Sequence, residues 1–291
     1  MHVLRQDDAG GNGSQPHEQA PVATPAKLGR AIVITSGKGG VGKTTTTANL
    51  GTALARRGAT VALVDADVGL RNLDILLGLE SRVKYHVLDV LEETVELEEA
   101  LITDKNSPTL RLLAAAQTRE KDEVDTEKMR ALVQRLRETF DYVLIDCPAG
   151  IETGFRNAVV GADEAIVVCT PEVSAVRDVD RVVGLLGNRF RPQLVINRVR
   201  PQLVKKGKML SVEDVNGILR LPLLGVIADE PEVIVSTNKG EPIALRTDTK
   251  TAAAYHAIAA RIAGEDVPAP TVEIKESFMG KLGSLFGGRR S

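Results

Sequence analysis

Tryptophan is absent from this chain of 291 residues, aromatic side chains make up only 3% of it, and cysteine occurs twice. A core with so few rings must be built from Val, Ile, Leu and Ala, the mixture expected of buried parallel strands covered by helices. Cys147 and Cys169 lack the paired spacing of a metal or disulfide framework. That excludes a disulfide-stapled scaffold and fits a reducing, cytoplasmic compartment. No run of about 18 uninterrupted apolar residues occurs, so no conventional membrane-spanning helix is expected. Excess charge of either sign is missing too: the formal net charge is -2 and the isoelectric point lies near 6.2. Any contact with a polyanion is therefore local, and no specific nucleic acid is expected as a partner.

What is present is alternation. Short apolar runs at 31–35, 61–64, 110–114, 142–145, 165–169, 193–196 and 223–227 have the length of strands. Between them, 43–57, 126–139, 174–186, 211–219 and 251–263 carry apolar residues at the i, i+3, i+4 spacing of helices. Repeated strand and helix units predict an α/β fold, a single domain over 29–264 with a mostly parallel twisted sheet covered by helices on both faces. Ligands of such sheets gather at the carboxyl ends of the strands. Residues 1–28, rich in Gly, Pro, Gln and Asp, read as a disordered extension with no apolar stretch of a signal peptide. Residues 265–274 read as a linker to a distinct tail, 275–291.

The string Gly37-Lys38-Gly39-Gly40-Val41-Gly42-Lys43-Thr44 satisfies G-x-x-x-x-G-K-[ST] between an expected strand and an expected helix. Glycines let backbone N–H groups converge on phosphate oxygens, and the helix N-terminus adds favourable partial charge. Lys43 is expected to reach the β- and γ-phosphates and the Thr44 hydroxyl to ligate Mg²⁺, with Thr45 completing the nucleotide cradle. The strand at 61–64 runs into Asp65-Ala66-Asp67, two carboxylates that repel each other unless Mg²⁺ or water organises them, or else an ordinary acidic turn. The strand at 142–145 ends in Asp146-Cys147-Pro148-Ala149-Gly150, an apolar run closed by an acid in the manner of a Walker B element. Asp146 is then the expected Mg²⁺ partner, and Gly150 a point where the chain can swing when a phosphate leaves. The guanine-reading signature N-K-x-D does not occur, which favours ATP over GTP.

Lys38 makes the loop less ordinary, since GKGGVGKT resembles the signature of the deviant Walker A (ParA/MinD) family of ATPases. The resemblance implies ATP-dependent homodimerisation, with Lys38 reaching the nucleotide of a second copy. It implies Lys38, Lys43 and Asp67 as the catalytic set, Asp67 orienting water and Asp65 supporting the Mg²⁺ shell. It places Asn197, at the end of the 193–196 strand, on the adenine edge, although an Asn capping its own turn is the plain alternative. Ala228 stands where many relatives carry Pro, which weakens the other wall of the base pocket.

Three further strings resemble the MinD branch: Gly69-Leu70-Arg71-Asn72-Leu73-Asp74, Pro148-Ala149-Gly150-Ile151-Glu152-Thr153-Gly154, and the stretch 171–181 that begins Pro171-Glu172-Val173-Ser174. That branch implies contacts with the division inhibitor MinC and the activator MinE through Asn72 and Asp178, in the service of placing the septum. In the tail, Phe278, Met279, Leu282, Leu285 and Phe286 fall on one helical face beside Lys281. Four basic residues against one acid, Glu276, leave a net +3, the make-up of a short interfacial helix for anionic lipid. A peripheral place on the cytoplasmic face of the inner membrane follows. A ParA-like DNA-partition ATPase and a MinD-like regulator of flagellar number are the rival readings. The absence of a CxxC pair argues against an iron–sulfur carrier.

Overall fold

A computed structural model describes residues 28–117, 124–151 and 153–270. The tail calls at Phe278, Met279, Lys281, Leu282, Leu285 and Phe286 lie outside the described residues, as do Glu152 and nearly all of the 1–28 extension. Among the described residues no helix is long and apolar enough to cross a membrane.

The strands are β1 (Arg30–Thr35), β2 (Val61–Asp65), β3 (Ile102–Thr103), β4 (Leu110–Leu113), β5 (Tyr142–Asp146), β6 (Glu164–Cys169), β7 (Gln193–Val199) and β8 (Leu223–Ala228). They form one sheet in the order β3-β4-β2-β5-β1-β6-β7-β8. All seven strands expected from the sequence are there, each within one to three residues of its expected bounds, and all run parallel. The eighth, β3, was not anticipated; it is two residues long and antiparallel to β4, too short to leave a periodic trace.

Along each central strand, side chains alternate between two cores, as the period-2 geometry of a strand requires. Ala31, Val33, Ala62 and Val64 face one layer, while Ile32, Ile34, Val61 and Leu63 face the other. The first layer is covered by α5 (Thr126–Thr139) through Met129, Leu132, Val133 and Leu136, and by α7 (Val173–Leu186) through Val176, Val179 and Val182. The second is covered by α1 (Lys43–Arg56) and α11 (Lys250–Ile262), where Leu50 and Leu54 pack with Tyr255 and Ile258. Short helices absent from the sequence reading, α2 (Leu73–Leu77) and α10 (Pro231–Asn238) among them, fill the connections. A helix of five residues such as α2 offers little periodicity to detect, whereas the eight-residue helix Val212–Leu219 was expected at 211–219 and is found there.

Residues 265–270, expected as a linker, lie against the body: Arg57 pairs with Glu265, and Arg261 donates to the Pro268 carbonyl. Cys147 and Cys169 are buried, and burial pushes both thiols up to about 12, consistent with inert core positions.

Candidate functional site

The sheet order sets β5 and β6 on either side of β1, so three strand ends and their loops converge on residues 36–42. Gly40 and Gly42 both adopt left-handed backbone, with φ of 76° and 97°, which a side chain disfavours. Ser36 Oγ donates to the Lys38 carbonyl at 2.7 Å and closes the turn. Gly42 caps α1 with no side-chain hydrogen bond, and the first turn of α1 holds no acid. Its N–H groups are thereby left for an incoming anion, which the helix N-terminus favours. Lys43 is buried at the head of α1, an expensive place for an ammonium without an anionic partner.

Across the loop, Asp65 ends β2 and Asp146 ends β5, and the two are direct partners in the ladder. Each is only 1% exposed. Burial pushes both carboxyls above the ordinary range; the neighbouring charge of Asp65 raises Asp146 further, while hydroxyls of Thr44 and Thr47 and the charge of Lys43 oppose the rise. Two buried acids beside a threonine hydroxyl form an oxygen donor set that suits a hard divalent cation. Thr44, Asp146 and Asp65 therefore fit the Mg²⁺ expected there.

Asp65 also organises the backbone. Its Oδ1 accepts the Asp67 amide at 3.0 Å, and its Oδ2 accepts the amides of Asn72 and Leu73 at 3.2 Å each. One carboxylate thus holds both ends of the segment that carries Asp67, which is half-buried. Asn72 sits exposed at the start of α2 and makes no side-chain cap. Before it, Arg71 has φ 40° and donates to the buried Asp74 carboxylate at 2.7 Å.

Asn197 meets the loop directly. A register shift between Ile196 and Val199 interrupts β7, and Arg198 there takes φ 57°. Such a bulge re-aims a side chain: Asn197 Nδ2 donates to the Val41 carbonyl at 2.8 Å, while its Oδ1 accepts the Arg198 amide at 2.9 Å. Both ends of the amide are engaged, one in its own turn, as the plain alternative has it, and one in the phosphate loop.

Lys38 leans the other way, towards α7. Its Nζ lies 3.1 Å from Glu172 Oε2 and 3.1 Å from Ser174 Oγ. These two partners went unrecognised in the sequence, because they are more than 130 residues away and only the fold brings them near. Asp178, one turn further along α7, is half-buried with its backbone against Gly37. Asn72 and Asp178 stand on helices of opposite layers, α2 and α7.

A family model described as the CobQ/CobB/MinD/ParA nucleotide binding domain matches residues 32–243. The septum site-determining protein MinD of Synechocystis is 54% identical over 244 residues, covering 83% of this chain and 92% of that one. The MinC:MinD cell division protein complex of Aquifex aeolicus matches with a TM-score of 0.77 at 48% identity, over 82% of this chain and 98% of that chain. The septum site-determining protein MinD complexed with Mg-ADP from Pyrococcus horikoshii matches with a TM-score of 0.74 at 31% identity, over 81% of this chain and 96% of that one. With the phosphate loop, the paired carboxylates and the strand order already in place, these likenesses settle the assignment: the chain belongs to the CobQ/CobB/MinD/ParA nucleotide-binding family and, within it, to the MinD septum site-determining ATPases.

Proposed function

We propose that this chain is a switch in which ATP joins two copies and so attaches the pair, with the division inhibitor MinC, to the cytoplasmic face of the membrane. The observation that carries the reading is the setting of Lys38. Its side chain is 34% exposed at the rim of the loop and, among the described residues, is held by Glu172 and Ser174. A partly exposed ion pair of this kind holds a side chain weakly. The cation is free to be recruited by the nucleotide of a second copy, much as an arginine finger in trans is.

Within one copy the roles divide by position. Backbone amides of the loop and the α1 N-terminus take the phosphates, and Lys43 neutralises them. Thr44 and Asp146 hold Mg²⁺ with Asp65 in support; once bound, the ion offsets charge on the phosphate oxygens. Asp67, set by the Asp65 carboxylate, orients the attacking water. Asn197 supports the loop and reads the adenine edge. Asn72 and Asp178 lie where MinC or MinE would dock, and the Aquifex neighbour, named as a complex with MinC, supports the first of these.

The 275–291 tail supplies the membrane contact. At about 1 kcal/mol per basic residue, plus a few apolar side chains, one copy binds anionic lipid weakly. Two copies on one dimer bind by avidity, which makes attachment report on ATP.

Sedimentation of the full chain with vesicles rich in anionic phospholipid tests the proposal, run with ATP, ADP or no nucleotide and with plasmid DNA as competitor. Binding is expected with ATP alone, undiminished by DNA. Lys38→Ala and Lys43→Ala abolish it, and removal of 275–291 abolishes it while basal hydrolysis persists. Nucleotide-independent pelleting, or capture by DNA in place of vesicles, overturns the reading.

A further inference from the structure

Asp65 and Asp146 adjoin in the sheet, yet they are held by different means. Asp65 takes three backbone amides. Asp146 takes a hydroxyl from α1: Thr47 Oγ1 lies 3.1 Å from its Oδ1, while the Thr44 hydroxyl is close enough to favour its ionised form. Thr44 and Thr47 are three positions apart, so they share a face of α1. Thr44 is half-buried, whereas Thr47 is wholly buried at 0% exposure.

The Thr47 hydroxyl carries one hydrogen and has two acceptors within reach. The Lys43 carbonyl, one turn back, and Asp146 Oδ1 both lie at 3.1 Å. Bonding to the carbonyl alone is the common fate of a threonine inside a helix. An ionised carboxylate is the stronger acceptor, since charge-assisted hydrogen bonds are roughly twice as strong as neutral ones.

We infer that Thr47 is a positioning residue for the divalent metal: by holding Oδ1 of Asp146 it fixes the carboxylate and leaves its other oxygen for the ion. Thr47 does not touch metal or nucleotide. It removes the cost of ordering Asp146 at the moment the ion binds, which is preorganisation of a ligand by an outer hydrogen bond. The inference rests on the nucleotide and Mg²⁺ reading of the site.

Its test uses the full chain loaded with ADP, with Mn²⁺ binding followed by electron paramagnetic resonance and displaced by Mg²⁺. Thr47→Val keeps the shape and removes the hydroxyl; Thr47→Ser keeps the hydroxyl. A hydrogen bond to a charged group supports an expected weakening of Mn²⁺ binding by about tenfold or more in Thr47→Val. Thr47→Ser is expected to bind Mn²⁺ like wild type, and affinity for a fluorescent ADP in EDTA stays the same in both variants. Should Thr47→Val fail to fold, Thr47→Ala is judged the same way against Thr47→Ser. Wild-type Mn²⁺ affinity in the hydroxyl-free variant, or equal weakening in Thr47→Ser, overturns the inference. Failure of the underlying reading shows separately: the wild-type chain itself then takes up no Mn²⁺ with ADP, and both ideas fall together.

Discussion

Gly37, the first residue of the phosphate loop, rests on the backbone of Asp178 in α7: a methyl group at Gly37 would come within 2.4 Å of the Asp178 carbonyl carbon and Cβ. Backbone cannot give way as a flexible side chain does, so loop and helix are packed as one unit. Whatever docks on α7 is thus in mechanical contact with the residues that cradle phosphate.

Gly37→Ala is therefore expected to destabilise the fold by about 1–3 kcal/mol and to disturb the loop, as overpacking of close contacts does. Gly39→Ala is the control within the same loop, since its new methyl would meet only the Ala149 side chain at an ordinary 3.6 Å. Urea unfolding of the two variants beside wild type measures the difference. Equal stabilities refute the contact.

The buried acid pair sets a pH dependence. Asp65 and Asp146 are raised in the folded chain to about 6 and about 8 from an ordinary 3.8. The folded state then binds more protons than the unfolded one. Stability from this source is complete below about pH 4 and is lost as pH rises through about 6 and 8. Without nucleotide or metal, Asp146→Asn should melt higher than wild type at pH 8, with the gap closing towards pH 5. Thermal unfolding across that range, in EDTA, reads it. A gap that widens on acidification reverses the sign and excludes the mechanism.

Glu172→Gln should leave the melting temperature within about 3 °C of wild type, because a partly exposed ion pair contributes about 0–1 kcal/mol. The pair is half a tether, with Lys38 34% and Glu172 56% exposed. A fall of several degrees would mean that Lys38 is locked to its own chain.

Asn197→Ala removes the donor to the Val41 carbonyl and the acceptor for the Arg198 amide. Loss of two such bonds at a buried site is expected to cost about 1–3 kcal/mol of stability. Nucleotide affinity, measured by fluorescence anisotropy, should fall with it, since the Val41 to Gly42 turn loses its brace. Asn197→Ala with unchanged affinity would separate the brace from the binding site.

Much of this was legible along the chain. Buried parallel strands write themselves as short Val, Ile and Leu runs, and 14-residue helices such as α1 and α5 carry enough turns to show their period. The phosphate loop is also local, because the glycines, the lysine and the threonine act within eight consecutive positions. Asp65, Asp67 and Asp146 could be singled out for the same reason: each closes or follows an apolar run. The segment β3 and helices as short as α2 escaped because two to five residues hold too little pattern to detect.

Sequence alone determined the layered α/β architecture, the phosphate loop and the acids that close β2 and β5, since each is encoded by residues that are neighbours in the chain. Only the tertiary structure decided what those residues touch. It set Gly37 against Asp178, Lys38 on Glu172, Asn197 beneath Val41 and Thr47 against Asp146, contacts that span from about 100 to more than 150 positions. The physical reason is the parallel sheet itself. Its crossovers gather strand ends that are remote in sequence at one edge, and hydrogen bonds between such ends leave no periodicity to read.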